Sequence, residues 1–220
     1  NLRAAIDDLQ RLASPTVEDY QQISIIFERL QEIPAAIDAL HQALALSPQD
    51  ARLAERLVML YSQQQDWQSA RDVIAQMPHS WRWQQWAGDL AVNAEDFPAA
   101  AEHYEQALAL LEQQQLAPDY HAAMAARLWL ALGHAYRQLA DFFAAASAYD
   151  EAERCMPDEP LLPFYRGLLA WLQQDAPQAI ALCRHALDRA NETLREEMRT
   201  TLQANPTFMN LFEQVFYNLK

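Results

Sequence analysis

Glycine occurs only three times in 220 residues, cysteine twice and lysine once, at Lys220. So few glycines leave no phosphate-cradling loop, dinucleotide fingerprint or nucleophile elbow, because each needs glycine where a side chain would block the backbone. Cys155 and Cys183 are too few for a disulfide framework and lack metal-ligand spacing. The six histidines, at 41, 79, 103, 121, 134 and 185, form no metal-spaced pair; around His103 no second histidine stands four residues away. No catalytic, cofactor-binding or metal-binding residue is therefore assigned, no cofactor is expected, and the segment is read as non-enzymatic. Long apolar runs are missing too. The most apolar stretch, LLPFYRGLLAWL, is short and broken by Pro163 and Arg166, which excludes a membrane span. The formal charge of −14 disfavours nucleic acid, whose binding needs a basic surface that displaces counterions. With one lysine among sixteen basic residues, any cationic contact falls to arginine, which suits bidentate recognition of carboxylates.

What is present is alanine, leucine and glutamine, with few β-branched residues, a balance that favours helix almost everywhere. The phrase IPAAIDALHQALALSP (33–48) returns as FPAAAEHYEQALALL (97–111), FFAAASAYDEAERCMP (142–157) and APQAIALCRHALDRAN (176–191), with a weaker copy, WQSARDVIAQMP, at 67–78. All five share an anchor alanine: Ala36, Ala70, Ala100, Ala145 and Ala179, at intervals of 34, 30, 45 and 34 residues. Twelve residues before the anchor stand Ser24, Val58, Gly88, Gly133 and Gly167, so every glycine occupies one repeat position. Glycine inside a helix costs about 1 kcal/mol relative to alanine, so its placement predicts close helix approach there, with the anchor alanine facing it. Four before the anchor is always an acid, Glu32, Asp66, Asp96, Asp141 or Asp175, and proline follows two residues later at 34, 98 and 177. That is a helix start signal; Pro48 and Pro157 mark stops. Each unit reads as a helical hairpin.

The pattern resembles the tetratricopeptide repeat family, whose unit is a 34-residue antiparallel helix pair. Its fullest copy carries Trp129, Leu132, Gly133, Tyr136, Phe142, Ala145, Tyr149, Ala152 and Pro157. The resemblance implies an all-α, right-handed superhelical solenoid of about five helix pairs, at about 17–50, 51–78, 81–115, 118–158 and 160–191. A leading helix is expected over 1–16 and capping helices over 192–220, broken near Asn205 and Pro206. Eleven extra residues in the 45-residue interval make about three turns, which predicts long helices over 98–115 and 118–139; the 30-residue interval shortens the second hairpin. Ser80 is expected to cap a helix beginning at Trp81, with Trp83 and Trp86 in the core and Trp81 covering the shortened hairpin beside Trp67.

The resemblance also implies a concave groove lined by one face of each first helix. The row eighteen before the anchor presents Arg52, Arg82 and Arg127 in consecutive repeats, and the neighbouring rows add Leu130, His134, Arg137, Phe164, Leu168 and Trp171. The expected partner is a protein or peptide with acidic or carboxylate groups and an apolar anchor. The lysine and asparagine set with which co-chaperone members of the family clamp acidic tails is absent. Two alternatives stay open: a regulatory or targeting segment of a larger enzyme or signalling protein, with which the opening Asn1 is compatible, and a homodimer through residues 206–219, whose apolar face is wide. The cysteines do not decide the compartment, with cytoplasm expected over periplasm.

Overall fold

A computed structural model describes residues 3, 5, 6 and 14–217, of which 3, 5 and 6 are helical. Most of the expected leading helix thus lies outside the described residues. Beyond it come twelve helices and no strand among the described residues: α1 (Val17–Arg29), α2 (Ile33–Leu46), α3 (Ala51–Gln63), α4 (Trp67–Ala75), α5 (Trp81–Asn93), α6 (Phe97–Leu111), α7 (Pro118–Gln138), α8 (Phe142–Cys155), α9 (Leu161–Leu172), α10 (Ala176–Arg189), α11 (Glu192–Ala204) and, after a 3₁₀ turn at Pro206–Phe208, α12 (Met209–Phe216). The chain is all-α. It divides into two compact units, residues 1–94 and 95–220, at the turn between α5 and α6.

The turns between first and second helices repeat the same chemistry. The residue five before each anchor, Gln31, Gln65, Glu95, Ala140 or Gln174, has φ between 58° and 66°, in the left-handed region. In four of them two hydrogen bonds tie off the preceding helix: Gln31 N–H to Glu28 C=O and Glu32 N–H to Phe27 C=O, for example, with counterparts ending in Asp66, Asp141 and Asp175. This is the Schellman arrangement, which satisfies carbonyls the helix end would otherwise leave open. The next residue caps the second helix. The carboxylates of Asp66, Asp96, Asp141 and Asp175 each accept from the backbone N–H three residues on, at 3.1, 3.3, 3.0 and 3.1 Å. Glu32, one methylene longer, makes no cap bond and pairs instead with Arg3 at 2.6 Å.

In the first unit the buried core joins Ala36, Leu40 and Ala43 of α2, Leu53, Leu57 and Val58 of α3, Ala70, Val73 and Ile74 of α4 and Trp83 of α5. Ser80 caps α5 by accepting from the Trp83 N–H. Trp83 is buried there, and Trp86, its ring centroid 6.2 Å away, packs against the core from its edge. Trp81 is buried as well, with the Arg82 guanidinium 5.3 Å from its ring centroid. The α4 helix has nine residues against fourteen in α2, the shortening expected from the 30-residue interval.

In the second unit the glycines sit inside first helices, and the room they leave is taken. A Cβ on Gly133 of α7 would lie 2.4 Å from Cε1 of Tyr149; one on Gly167 of α9 would lie 2.6 Å from Sγ of Cys183 and 3.1 Å from the Ala179 carbonyl oxygen. The facing group is therefore chiefly the residue four after the anchor, not the anchor alanine alone. Lengthening in this unit falls on one helix rather than two. The α7 helix spans 21 residues, but α6 stops at Leu111 rather than 115. Past Leu111 the residues Glu112–Gln115 are exposed and bring no apolar face, Gln113 and Gln114 turn back in i→i−3 bonds, and Pro118 sets the start of α7.

The last helices cover α9 and α10. Met198 and Leu202 of α11, Phe208 of the 3₁₀ turn, and Leu211, Phe212 and Val215 of α12 are buried in one cluster with Phe164, Leu168 and Cys183. The Arg184 guanidinium donates to the Gln214 carbonyl oxygen at 2.7 Å, and the Trp171 indole N–H to that of Thr207 at 2.9 Å. The wide apolar face that suggested a dimer contact over 206–219 is consumed inside the unit as far as Val215; Leu219 lies outside the described residues.

Candidate partner-binding groove

The sequence places every proposed groove residue on a first helix, and the two units treat those helices differently. In the first unit, α1 and α3 frame an open concavity of about 400 Å³ lined by Glu28, Arg52, Glu55, Arg56, Met59 and Gln63. A second, of about 320 Å³, lies between α3 and α5 and shares Met59 and Gln63 with it, adding Ser62, Trp86, Asp89 and Asn93. These residues fall on recurring repeat positions: Met59 and Asp89 are both eleven before their anchors, Arg56 and Trp86 fourteen, Gln63 and Asn93 seven. Helical geometry stacks such equivalents side by side, so the first helices build a surface periodic along the repeat direction.

The electrostatics of the first concavity are balanced. Arg56 reaches Glu28 with both Nε and an Nη at 2.8 Å, and the Ser24 hydroxyl donates to the same carboxylate oxygen at 3.2 Å. Arg52 is exposed and makes no ion pair among the described residues, and Glu55 offsets its charge. Met59 is 53% exposed, an apolar side chain that lines both concavities. The Ser62 hydroxyl donates to the Val58 carbonyl oxygen at 2.7 Å, so its oxygen keeps only acceptor capacity.

The second unit offers less of its expected surface. Arg127 is exposed and has no ion pair among the described residues, and Leu130 is half-buried beside the cluster around Tyr149. Phe164 and Leu168, expected to anchor a partner, are 1% and 0% exposed, because α11, the 3₁₀ turn and α12 cover that face of α9. They line no accessible groove. Trp171 spends its N–H on Thr207. Arg137 is 7% exposed, its Nε has no hydrogen-bond partner among the described residues, and its guanidinium lies 5.9 Å from the Phe208 ring centroid. It too is packing rather than surface. His134 meets Gln138 at 3.0 Å, and burial first, then the charge of Arg137, pushes its pKa down to about 4, so at neutral pH it is an uncharged hydrogen-bonding group.

Sequence reasoning placed Arg52 and Arg82 in the groove but left out Met59, Arg56, Trp86 and Asp89 as principal contacts. Arg82 is exposed on the first turn of α5, engaged with the Trp81 ring. Among the described residues no helix is long and apolar enough to cross a membrane, and no three His, Cys, Asp or Glu side chains cluster as a metal site would require.

Tandem helix pairs with a glycine or small residue in the first helix and a capped second helix define a helical-repeat protein. Models of the tetratricopeptide repeat match residues 30–81 and, in two overlapping copies, 87–160 and 130–192. The chain belongs to the tetratricopeptide repeat family. Such repeats make it a protein-interaction scaffold. No curated protein matches the sequence significantly. Among solved structures it is similar to MamA from Desulfovibrio magneticus RS-1 (TM-score 0.62, 17% identity, 81% of this chain and 97% of that one). It is also similar to YrrB, described as a tetratricopeptide-repeat protein with an unusual peptide-binding site (TM-score 0.57, 14% identity, 90% and 97%), and to pilF of Pseudomonas aeruginosa (TM-score 0.58, 15% identity, 98% and 95%). At these identities the likeness is one of fold.

Proposed function

We propose that this chain binds a segment of a partner protein along the concave face of its first helices and performs no chemistry of its own. The observation that carries this reading is the pair of adjoining concavities on α1, α3 and α5, which together form a trough floored by Met59 and Trp86 and edged by polar groups. A trough with an apolar floor and a polar rim is how interfaces gain both affinity and specificity. Arg52 and Arg82 serve as rim contacts for carboxylates in the first unit; in the second unit, taken by itself, Arg127, Leu130 and His134 are the candidate contacts that remain. Phe164, Leu168 and Arg137 drop out because they are buried, and Trp171 because its N–H is engaged.

The test is affinity capture from the native host with the immobilised full chain, its Met59→Glu variant and its Arg52→Glu variant, read by quantitative mass spectrometry. Met59→Glu puts a charge on the apolar floor and should deplete the specific partner at least about tenfold, the scale of a central interface residue. Recovery of every captured protein at unchanged level on both variants refutes the groove.

A further inference from the structure

Arg137 and Tyr149 bring a charge and two donors into the interior of the second unit. Tyr149 of α8 lays its ring on α7 at Gly133, with Cζ 3.1 Å from the place a Cβ would take there. Arg137 stands four residues further along α7, one turn on and on the same face. The two side chains are 7% and 0% exposed, and neither Nε of Arg137 nor the hydroxyl of Tyr149 has a hydrogen-bond partner among the described residues. Burial pushes the pKa of that hydroxyl up to about 12, and the Arg137 guanidinium pulls against the shift, as a charge close to the oxygen would. We infer that Nε of Arg137 and the Tyr149 hydroxyl together hold one small monovalent anion, chloride by size, inside the second unit. The inference goes beyond the groove reading, which uses neither residue.

Charge selects an anion over a neutral guest. Arginine cannot give up its proton inside a protein, and a buried ion without a counter-charge is among the costliest groups a fold can enclose. Arg154, Arg166, Arg189 and Arg199 take carboxylates in this unit, but Arg137 makes no ion pair among the described residues. Tyr165, its pKa raised first by burial, also feels Glu197 and Glu159, yet neither acid pairs with Arg137. The Phe208 ring, its centroid 5.9 Å from the guanidinium, offers the partial attraction of a π face and no full negative charge. Hydrogen bonding points the same way. The guanidinium only donates and the hydroxyl has a proton to give, so a single acceptor between them satisfies both. Enclosure sets the size. Phe208 covers the guanidinium and Tyr165 stacks on Tyr149 at a centroid distance of 6.2 Å, so sulfate, phosphate or the carboxylate of a partner segment would have to open the core to enter.

The full chain is unfolded in urea while sodium chloride replaces sodium gluconate at a constant ionic strength of about 0.1 M, which holds screening fixed. Gluconate is too large for the enclosed site. Unfolding of the second unit is followed at the indole N–H resonance of Trp171, assigned with a Trp171→Phe variant. An ion bound only by the folded state raises the folded-to-unfolded ratio by up to about tenfold between about 10 and 100 mM chloride, and at least about threefold is expected. Bromide should act as chloride does. Tyr149→Phe keeps the ring and its packing but removes one donor, and should cut the dependence to less than about twofold. Arg137→Met should abolish it; if that variant fails to fold, Tyr149→Phe decides. A native chain whose stability ignores chloride, or a Tyr149→Phe chain that keeps the full dependence, overturns the inference. So does a Tyr149→Phe loss that is equal in chloride and gluconate, the mark of a neutral water between the two groups.

Discussion

Replacing Gly133 by alanine sets two effects of opposite sign against each other. In an isolated helix the change stabilises by about 1 kcal/mol, because glycine has more backbone freedom to lose. Here the new methyl would arrive 2.4 Å from Cε1 and 2.7 Å from Cδ1 of Tyr149, distances that non-bonded carbons do not adopt. Tyr149 cannot swing aside: it is fully buried, with Ala145, Ala152, Leu162 and Leu169 around it and Tyr165 stacked at a centroid distance of 6.2 Å. Forcing one methyl into a packed site costs about 1–3 kcal/mol, and two contacts under 3 Å with a ring that is itself held in place put this case at the upper end. The expected net loss is about 1–2 kcal/mol, measured by urea denaturation followed by circular dichroism. Tyr149→Leu alone also destabilises, by emptying the site, but it removes the ring carbons that collide. The double variant should thus be more stable than the sum of the single losses by at least about 1 kcal/mol. A Gly133→Ala protein that gains stability, or strict additivity with Tyr149→Leu, refutes close approach as the reason for glycine at this position.

Three other perturbations follow from the turns and from His134. Ala140 carries φ 58°, a conformation that strains an L-residue, so Ala140→Gly should raise the stability of the second unit by about 0.5–1 kcal/mol, seen as a higher midpoint in urea. Removing the next residue's cap, Asp141→Ala, should cost about 1 kcal/mol in the same assay, whereas Glu32→Ala, which loses no cap, should cost less. His134 takes up its proton near 6.5 when unfolded but only near pH 4 when folded. Stability from this group is therefore complete above 6.5, declines as the pH falls from 6.5 toward 4, and is level below that. The decline has an upper limit of about 3 kcal/mol and should flatten in His134→Gln, read from denaturation midpoints at stepped pH.

The repeat was legible in the sequence because its marks are chemical: a small residue where helices meet, an acid where a helix begins, proline where one cannot continue. Ser80 as a cap and Trp83 as core were legible on the same grounds. The left-handed turn positions were not, since glutamine, glutamate and alanine occupy them where glycine or asparagine is the expected sign. Nor was the end of α6, where polar residues that suit helix well enough simply have nothing to pack against. The groove was half legible. Equivalent positions on successive first helices do line one surface in the first unit, but projecting that row onto α9 ignored what α11 and α12 would lay over it, and Phe164 and Leu168 became core. Trp86 illustrates the converse error. An aromatic at helical spacing was read as interior, yet one edge packs on the core while the other remains in the trough.

The turn between first and second helix has the same length and the same backbone form in all five pairs, while the spacing between anchors ranges from 30 to 45 residues. Changes of length have therefore entered only where one pair hands over to the next. An inserted reporter peptide or cleavage site would accordingly be tolerated at 112–117 and rejected at 139–141, where a single added residue would misplace both the left-handed residue and the acid that follows it.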